Sequence, residues 1–336
     1  MSQTLPAVGA RPAPDYTPGP WQEQGRHLAD KSWRAEWLVA WNSFWFMPAD
    51  PLPLAMLRIA SGALLAWSSA VWLLDAEAFF GNAGWLPPAN VWRMNDQPWQ
   101  WSLYFVFSSA IAVKAITIVT LLAAALLTIG LATPLAAVVA CIGFLSAANR
   151  APLNVFGFDD VLGMLLIALV VGPSGAVCSL DSLLWPSRKS IEPSVRANIA
   201  IRLIQVHLCT IYFFSGCGKL LGASWWEGTA LWGSIANVQY RTLDLTGLAR
   251  FPLIINLLTL GTLFWEVLYP VLVWPRLTRR LVLAMAVMVH LGIGLSMGMM
   301  EFGLVMLTAN SAFIPSSVFR GLWHSYPLPV PHALKS

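Results

Sequence analysis

Arg202, Gln205, Cys209, Tyr212 and Lys219, with Gly216 in step, recur at intervals of three and four along one apolar stretch of the chain. That spacing puts all six on one face of a helix. A polar face on a helix of membrane length has to look onto protein or water rather than lipid. At 1.5 Å per residue, Lys219 falls about 30 Å along the stretch, near its far end. Two roles are open to it there. A lysine at an interface extends its ammonium toward the headgroups, whereas a partly desolvated amine is shifted toward neutrality and serves as a base.

A second set comprises His207, Glu266 and His290. Each histidine lies about 12–14 Å from the start of its own apolar stretch, and Glu266 descends from the other side to a similar level. Three titratable groups near one depth predict a buried polar network. Two histidines on separate helices also offer neutral imidazoles to a haem or metal. However, His207 lies off the polar stripe of its helix, and a self-satisfying His–Glu set is the commoner use of such residues, so no metal site is expected. Asp159, Asp160 and Glu301 suit helix starts, where a carboxylate meets the positive end of the dipole. Arg58 and Lys114 lie within snorkelling reach of an interface. Phosphate-cradling, HExxH and dinucleotide signatures are missing, which argues against nucleotide-driven work.

The elements that must position these groups follow from composition. Of 336 residues, 57% are apolar and 11% charged, with mean hydropathy +0.64, against about a quarter charged in a soluble domain. The 18 Trp fit a membrane protein, because Trp gathers at membrane–water interfaces. The expected fold is an all-α integral membrane bundle of about eight transmembrane helices. The runs lie near Leu54–Leu74, Ser102–Gly130, Leu135–Ala148, Val161–Val177, Ile199–Leu221, Leu253–Trp274, Leu281–Met297 and Phe302–Ile314. Ahead of them, Trp33, Trp37, Trp41 and Trp45 stand four apart in a segment too short to span, predicting an interfacial amphipathic helix over 33–47. Residues 1–32 are polar and Pro-rich without an apolar signal-peptide core, and read as a disordered cytoplasmic tail; 53–317 form the transmembrane domain and 318–336 a second tail.

Loop charge orients the bundle. With the N-terminus cytoplasmic, the inner segments collect Arg11, Arg26, Lys31, Arg34, Arg188, Lys189, Arg196, Arg276, Arg279, Arg280, Arg320 and Lys335, and the outer loops Arg93, Arg150, Arg241 and Arg250. That bias is the positive-inside pattern for an even number of spans with both ends inside the cell, in the inner membrane. It also accounts for the net charge of +4 without nucleic acid as a partner. Two outer loops, FFGNAGWLPPANVWRMNDQPWQW and GASWWEGTALWGSIANVQYRTLDLTGLARFP, are rich in Trp, Gly and amides. They read either as caps over a cavity or as interfacial aromatic anchors. The four cysteines show no CxxC spacing and are expected as free, packed thiols. No internal repeat is visible, which lowers the case for a secondary transporter.

The segment YFFSGCGKLLGASWWEGTAL, Tyr212 to Leu231, resembles the conserved segment of the HTTM (horizontally transferred transmembrane) domain family, related to the membrane domain of vitamin K-dependent γ-glutamyl carboxylase. An aromatic-rich helix, a Gly, a Lys-Leu pair, a short polar turn and Trp-x-Glu-Gly occur in that order in both. HLGIGLSMGMMEFGLVML, His290 to Leu307, is similar to the carboxylase's seventh-span segment, and RIASG and the GFDD before the fourth run fit the wider family. The resemblance covers roughly Pro53 to Ser317. It implies Lys219 as the base toward a membrane quinol, with His290 beside it in a catalytic role, and Tyr212, Trp226 and Glu227 shaping the substrate pocket. Where the carboxylase has a histidine near the start of the fourth span, this sequence has Phe158, Asp159 and Asp160, and the residues after the eighth run do not include a counterpart of its large lumenal portion, so full γ-carboxylation is not expected. The resemblance therefore implies either a quinol-dependent enzyme acting at the outer face or a non-enzymatic accessory, assembly or maturation partner for an exported peptide or membrane complex.

Overall fold

A computed structural model describes residues 33–94, 100–185 and 192–324. The tail expected over 1–32 lies outside the described residues, as does the end of the chain from residue 325. Two compact units divide between Phe44 and Trp45. Helix α1 (Trp33–Phe46) forms where the Trp spacing predicts a helix, and Trp37 stacks on Trp41 at 5.3 Å. Its exposed Leu38 and Val39 lie off that Trp row, so apolar side chains are not confined to one face.

From Trp45 onward the chain is all-helical among the described residues, with one isolated bridge between Ala49 and Ser194. The long helices are α2 (Leu52–Leu74), α3 (Ala110–Ile129), α4 (Thr133–Arg150), α5 (Gly157–Val171), α6 (Val195–Leu220), α7 (Pro252–Leu272), α8 (Arg276–Met297) and α9 (Met300–Asn310). Six of them, α2, α3, α4, α6, α7 and α8, are long and apolar enough to cross a membrane. The chain is thus a multi-pass helical membrane protein. The remaining two runs expected to span fold as helices of 15 and 11 residues, shorter than the roughly 30 Å hydrocarbon layer at 1.5 Å per residue. Both are sheltered by neighbours: α5 packs on α4, α6, α2 and α9, and α9 on α8, α5, α2 and α6. The segment after α9 is not a plain tail at its start, because Ser316–His324 is helical and Arg320 pairs with Asp50 at 2.6 Å.

Helix ends follow local chemistry. Pro51 and Pro53 open α2, where a missing amide hydrogen costs nothing. Ser109 caps α3 and Ser194 caps α6 by accepting from the backbone amide three residues on. Gly130 closes α3 in the left-handed region at φ +73, and Leu131 N then bonds to Leu126 O instead of Leu127 O. The carbonyl of Leu127 is left for Arg58, whose Nη1 reaches it at 2.9 Å while Nη2 reaches Cys178 O. A Cβ on Gly130 would lie 2.0 Å from that guanidinium. Asp181 completes the turn by accepting from Ala132 N and Thr133 N, each at 2.7 Å.

Arg58 and Lys114, alike by position in the sequence, therefore part company. Arg58 is wholly buried and joins three segments, while Lys114 is exposed. Arg150, expected in an outer loop, is likewise wholly buried at the end of α4, donating to Phe80 O, Gly81 O and Leu86 O of the first Trp-rich loop. The four cysteines are free, Cys141 and Cys209 buried and the other two half-buried.

An unpaired buried carbonyl costs about 1–3 kcal/mol. Arg58→Leu is accordingly expected to lose about 3 kcal/mol by leaving Leu127 O and Cys178 O without a donor, and Lys114→Ala to change stability by no more than about 0.5 kcal/mol. Thermal unfolding of both variants in one detergent measures the contrast; equal midpoints would refute it.

Candidate functional site

The polar stripe of α6 faces the protein. Gln205, Cys209, Tyr212 and Gly216 are buried, and Arg202 and Lys219 are half-buried at its two ends. At the Arg202 end, the guanidinium bonds to Gln205 Oε1 at 2.9 Å and lies over the Trp274 ring, and Gln205 Nε2 reaches Ala312 O. At the other end, α6 and α7 cross so closely that a Cβ on Gly216 would meet Val267 N at 2.9 Å. The small residue lets the backbones approach. Lys219 stands one turn further along α6 and Glu266 beside Val267 on α7, so the crossing brings them together.

A lysine in a helix points back toward the preceding turn, and Lys219 Nζ donates to Ser215 Oγ at 2.7 Å and to Glu266 Oε2 at 2.6 Å. It also lies 5.3 Å from the Trp225 ring centre, a cation–π distance. The side chains of the pair are only 22% and 10% exposed. Lys219 therefore does not extend to an interface: its ammonium turns inward to a carboxylate beneath the segment that follows α6.

Glu266 accordingly pairs with Lys219 and not with His207. The latter is exposed on the opposite side of α6, its Nδ1 bonded to Leu203 O of its own helix at 2.9 Å. Glu266 misses the level of His207 because α7 runs past the end of α6. Its early residues hold the following loop, through Asn256 to Glu227 O and Thr259 to Leu231 N, which lowers Glu266 to the level of Gly216 and Lys219.

His290 of α8 is buried and belongs to a different chain of bonds. Its Nε2 is 2.6 Å from Tyr212 Oη, which is 2.9 Å from Asn310 Nδ2; Asn310 Oδ1 accepts from Tyr269 Oη at 2.8 Å. The rings of Tyr212, Trp265, Tyr269 and Phe302 surround this chain. Among the described residues His290 Nδ1 has no partner.

Lys219, Glu266, Tyr212 and His290 line one cavity of about 910 Å³, within the roughly 300–1,000 Å³ of small-molecule sites. Its walls are largely apolar, with Leu257 and Leu258 of α7, Met285 and Met288 of α8, and Phe302 and Met306 of α9. Asp160 at the start of α5 reaches it too, while Asp159 caps that helix on Phe156 N and Glu301 accepts from Trp67 Nε1. The second Trp-rich loop covers it with Trp225, Leu231, Ile235, Leu243 and Leu248, and Thr242 ties that loop to α8 through Leu295 O and Ser296 O.

Trp226 and Glu227, expected in the pocket, are exposed and outside its lining. Trp226 instead caps α6, donating from Nε1 to Leu220 O at 2.7 Å, and Glu227 sits in the turn ahead of Gly228 at φ +73. Its neighbour Trp225 takes the place at the cavity. Sequence reasoning does not single out Trp225, Tyr269 or Asn310. An amide ending the apolar run MEFGLVMLTAN was the available signal for Asn310.

No family model, no curated protein and no solved structure matches this chain.

Removing one partner of a buried ion pair leaves the other charge uncompensated. Lys219→Met alone is expected to cost on the order of 3 kcal/mol, and Lys219→Met combined with Glu266→Leu to recover most of it. Thermal melts of the two single variants and the double variant test this. A double variant as unstable as the sum of the singles would show that the two residues do not act as a pair.

Proposed function

We propose that the chain is an HTTM-type membrane enzyme that uses a membrane quinol in this cavity, with the Lys219–Glu266 pair as its proton acceptor. The observation that carries the reading is a lysine ion-paired at 2.6 Å against the wall of a large apolar cavity. A lipid-soluble ring with a hydrocarbon tail suits such walls, and the two polar stations, Lys219 and His290, suit a ring bearing oxygen at more than one position. The resemblance of Tyr212–Leu231 to the carboxylase segment supports the same assignment. When bound, the quinol supplies an acidic hydroxyl and two reducing electrons. Lys219 Nζ takes a proton as it passes the one it shares to Glu266 Oε2, so the pair gains one positive charge where the ligand is left with a negative one. Trp225 and the loop over it keep water away from that exchange. Exposed Leu257, Leu258, Met288 and Leu295, on α7 and α8, provide an apolar seam for entry from the bilayer.

The same reading takes α5 and α9 as spans completed within protein, giving eight crossings with both ends cytoplasmic and Lys219 toward the outer face. The loop charges support that orientation. A second reading, a non-catalytic partner for an exported peptide or membrane complex, draws support from the exposed Trp85, Trp92 and Trp101 near the same end as Lys219.

Supplied with vitamin K or menaquinone hydroquinone and oxygen in nanodiscs, the protein is expected to form epoxide at a rate lowered at least about 100-fold by Lys219→Ala. No turnover above the variant, with quinol bound, would refute the enzyme, and a stoichiometric co-purifying protein would then favour the second reading. For orientation, in a background lacking the native cysteines, Arg250→Cys is expected to react with a membrane-impermeant maleimide in intact cells, and Lys335→Cys only after permeabilisation. Labelling of the second in intact cells would overturn the eight-span topology.

A further inference from the structure

The chain of bonds behind His290 fixes where its single imidazole proton sits. Asn310 is the anchor. Its Nδ2 donates to Met306 O at 2.8 Å, and a carbonyl oxygen only accepts, so the amide cannot be turned the other way round. Its Oδ1 receives the Tyr269 hydroxyl, and its second Nδ2 hydrogen goes to Tyr212 Oη. Tyr212 has one hydrogen of its own and one remaining neighbour, His290 Nε2 at 2.6 Å. With the hydroxyl donating to Nε2, one group is left unpaired, the opposite ring nitrogen; with Nε2 donating, two are, the tyrosine hydrogen and the Nδ1 lone pair, so the first arrangement is favoured. A neutral imidazole that accepts at Nε2 carries its hydrogen on Nδ1. An imidazolium would instead place a second donor against Tyr212 Oη and leave the tyrosine hydrogen with no acceptor.

The Nδ1–H so defined is the atom left without a partner, on a residue only 3% exposed that lines the cavity; the nitrogen itself is closed off, so an acceptor meets it only where a ligand parts the side chains over it. Buried donors are paired as a rule, and an orphan one marks a place where something else supplies the acceptor. The charged groups on the same cavity are Lys219 of α6, Glu266 of α7 and Asp160 of α5. Glu266 is already engaged by Lys219.

We infer that His290 Nδ1–H is the recognition point for a hydrogen-bond-accepting oxygen, of the carbonyl type, on a lipid-soluble ligand in the cavity. His290 is thus a neutral donor that positions the ligand, not a proton acceptor or a metal ligand: Nε2 is taken by Tyr212 and Nδ1 is protonated. This deepens the reading given under Proposed function and rests on it for the quinone class of the ligand. It divides the two polar stations by role: the ion pair accepts a proton from one oxygen, and the histidine donates a hydrogen bond to another.

Two measurements test it without reading turnover. In protein carrying 13C- and 15N-labelled histidine, solid-state NMR near pH 7 distinguishes the two neutral tautomers and the imidazolium, and the His290 signals are identified by their loss in His290→Asn. The expected form is Nδ1–H, and Tyr212→Phe, which removes the donor to Nε2, is expected to release it into a mixture. An Nε2–H tautomer or an imidazolium in the unmutated protein would overturn the inference. The second measurement uses menadione labelled with 13C at its carbonyls. Its infrared carbonyl band is expected at lower frequency in the unmutated protein than in His290→Phe, with affinity about tenfold weaker in that variant. His290→Asn, whose amide nitrogen takes the position of Nδ1, is expected to retain the band shift, which separates loss of a donor from loss of fold. Menadione that fails to bind, or binds with the same band in both proteins, overturns the assignment. Absence of turnover alone would sink the proton-accepting role of Lys219 and leave both of these results standing.

Discussion

Hydrocarbon offers a buried charge or amide no water, so each such group in this bundle has to find its partner within the chain. Two arginines show how far the rule reaches. Arg58 and Arg150 are wholly buried, and among the described residues neither has a carboxylate within salt-bridge distance; Arg58 through its two terminal nitrogens and Arg150 through all three donate to carbonyls that helix ends and turns leave over. The cost of burying the guanidinium and the cost of orphaning those carbonyls are offset together. The consequence is positional. Arg58 ties the turn between α3 and α4 to the segment around Cys178, and Arg150 ties the end of α4 to the first Trp-rich loop.

The same requirement builds the cavity. Lys219 and Glu266 can be buried only as a pair, and they can pair only because Gly216 lets α6 and α7 approach. The polar ends of Tyr212, Tyr269 and Asn310 are satisfied one by the next, which commits the facing sides of α6, α7 and α9 to each other. Helices held in these two ways leave space between them and α8, and apolar side chains line it. A bundle without those polar contacts would be free to collapse the space, since packing favours close contact over voids. The cavity persists because the groups around it are already fixed by stronger obligations.

Much of this was legible in the sequence, for physical reasons that differ between residues. Composition and run length place the chain in a membrane because charge is scarce and apolar runs are long. The interval of three and four identifies the inward face of α6, since periodicity along a single helix is a one-dimensional property. Partners across helices are another matter. Placing Glu266 level with His207 requires α7 to begin level with the end of α6, and the overhang of α7 under its loop sets Glu266 beside Lys219 instead. Arg58 and Lys114 look alike in sequence, and only the turn at Gly130, with its spare carbonyl, separates them. In the WWEG run, the resemblance implies Trp226 and Glu227 for the pocket, yet Trp225 enters the cavity while Trp226 turns back to cap the preceding helix. A short turn changes side-chain direction residue by residue, and no helical or strand period governs it.

The cavity's two polar stations differ in kind, and the difference bears on what it can hold. The Lys219–Glu266 pair is neutral as a whole, so an uncharged amphiphile enters without bringing a counterion into low dielectric. Should the pair gain a proton from that ligand, a positive charge appears beside the anion formed, and the separation of charge is short. Were a lone lysine used instead, it would have to be uncharged beforehand, and a lone glutamate would build two negative charges side by side. On the inference drawn above, His290 would stay outside this exchange, with Tyr212 and Asn310 holding its tautomer from behind. A histidine able to flip would trade its donor for an acceptor and lose its grip on a carbonyl oxygen as soon as a hydroxyl competed for it. In the proposed function, holding one station mobile in its proton and the other fixed would let two oxygens of one ligand be told apart.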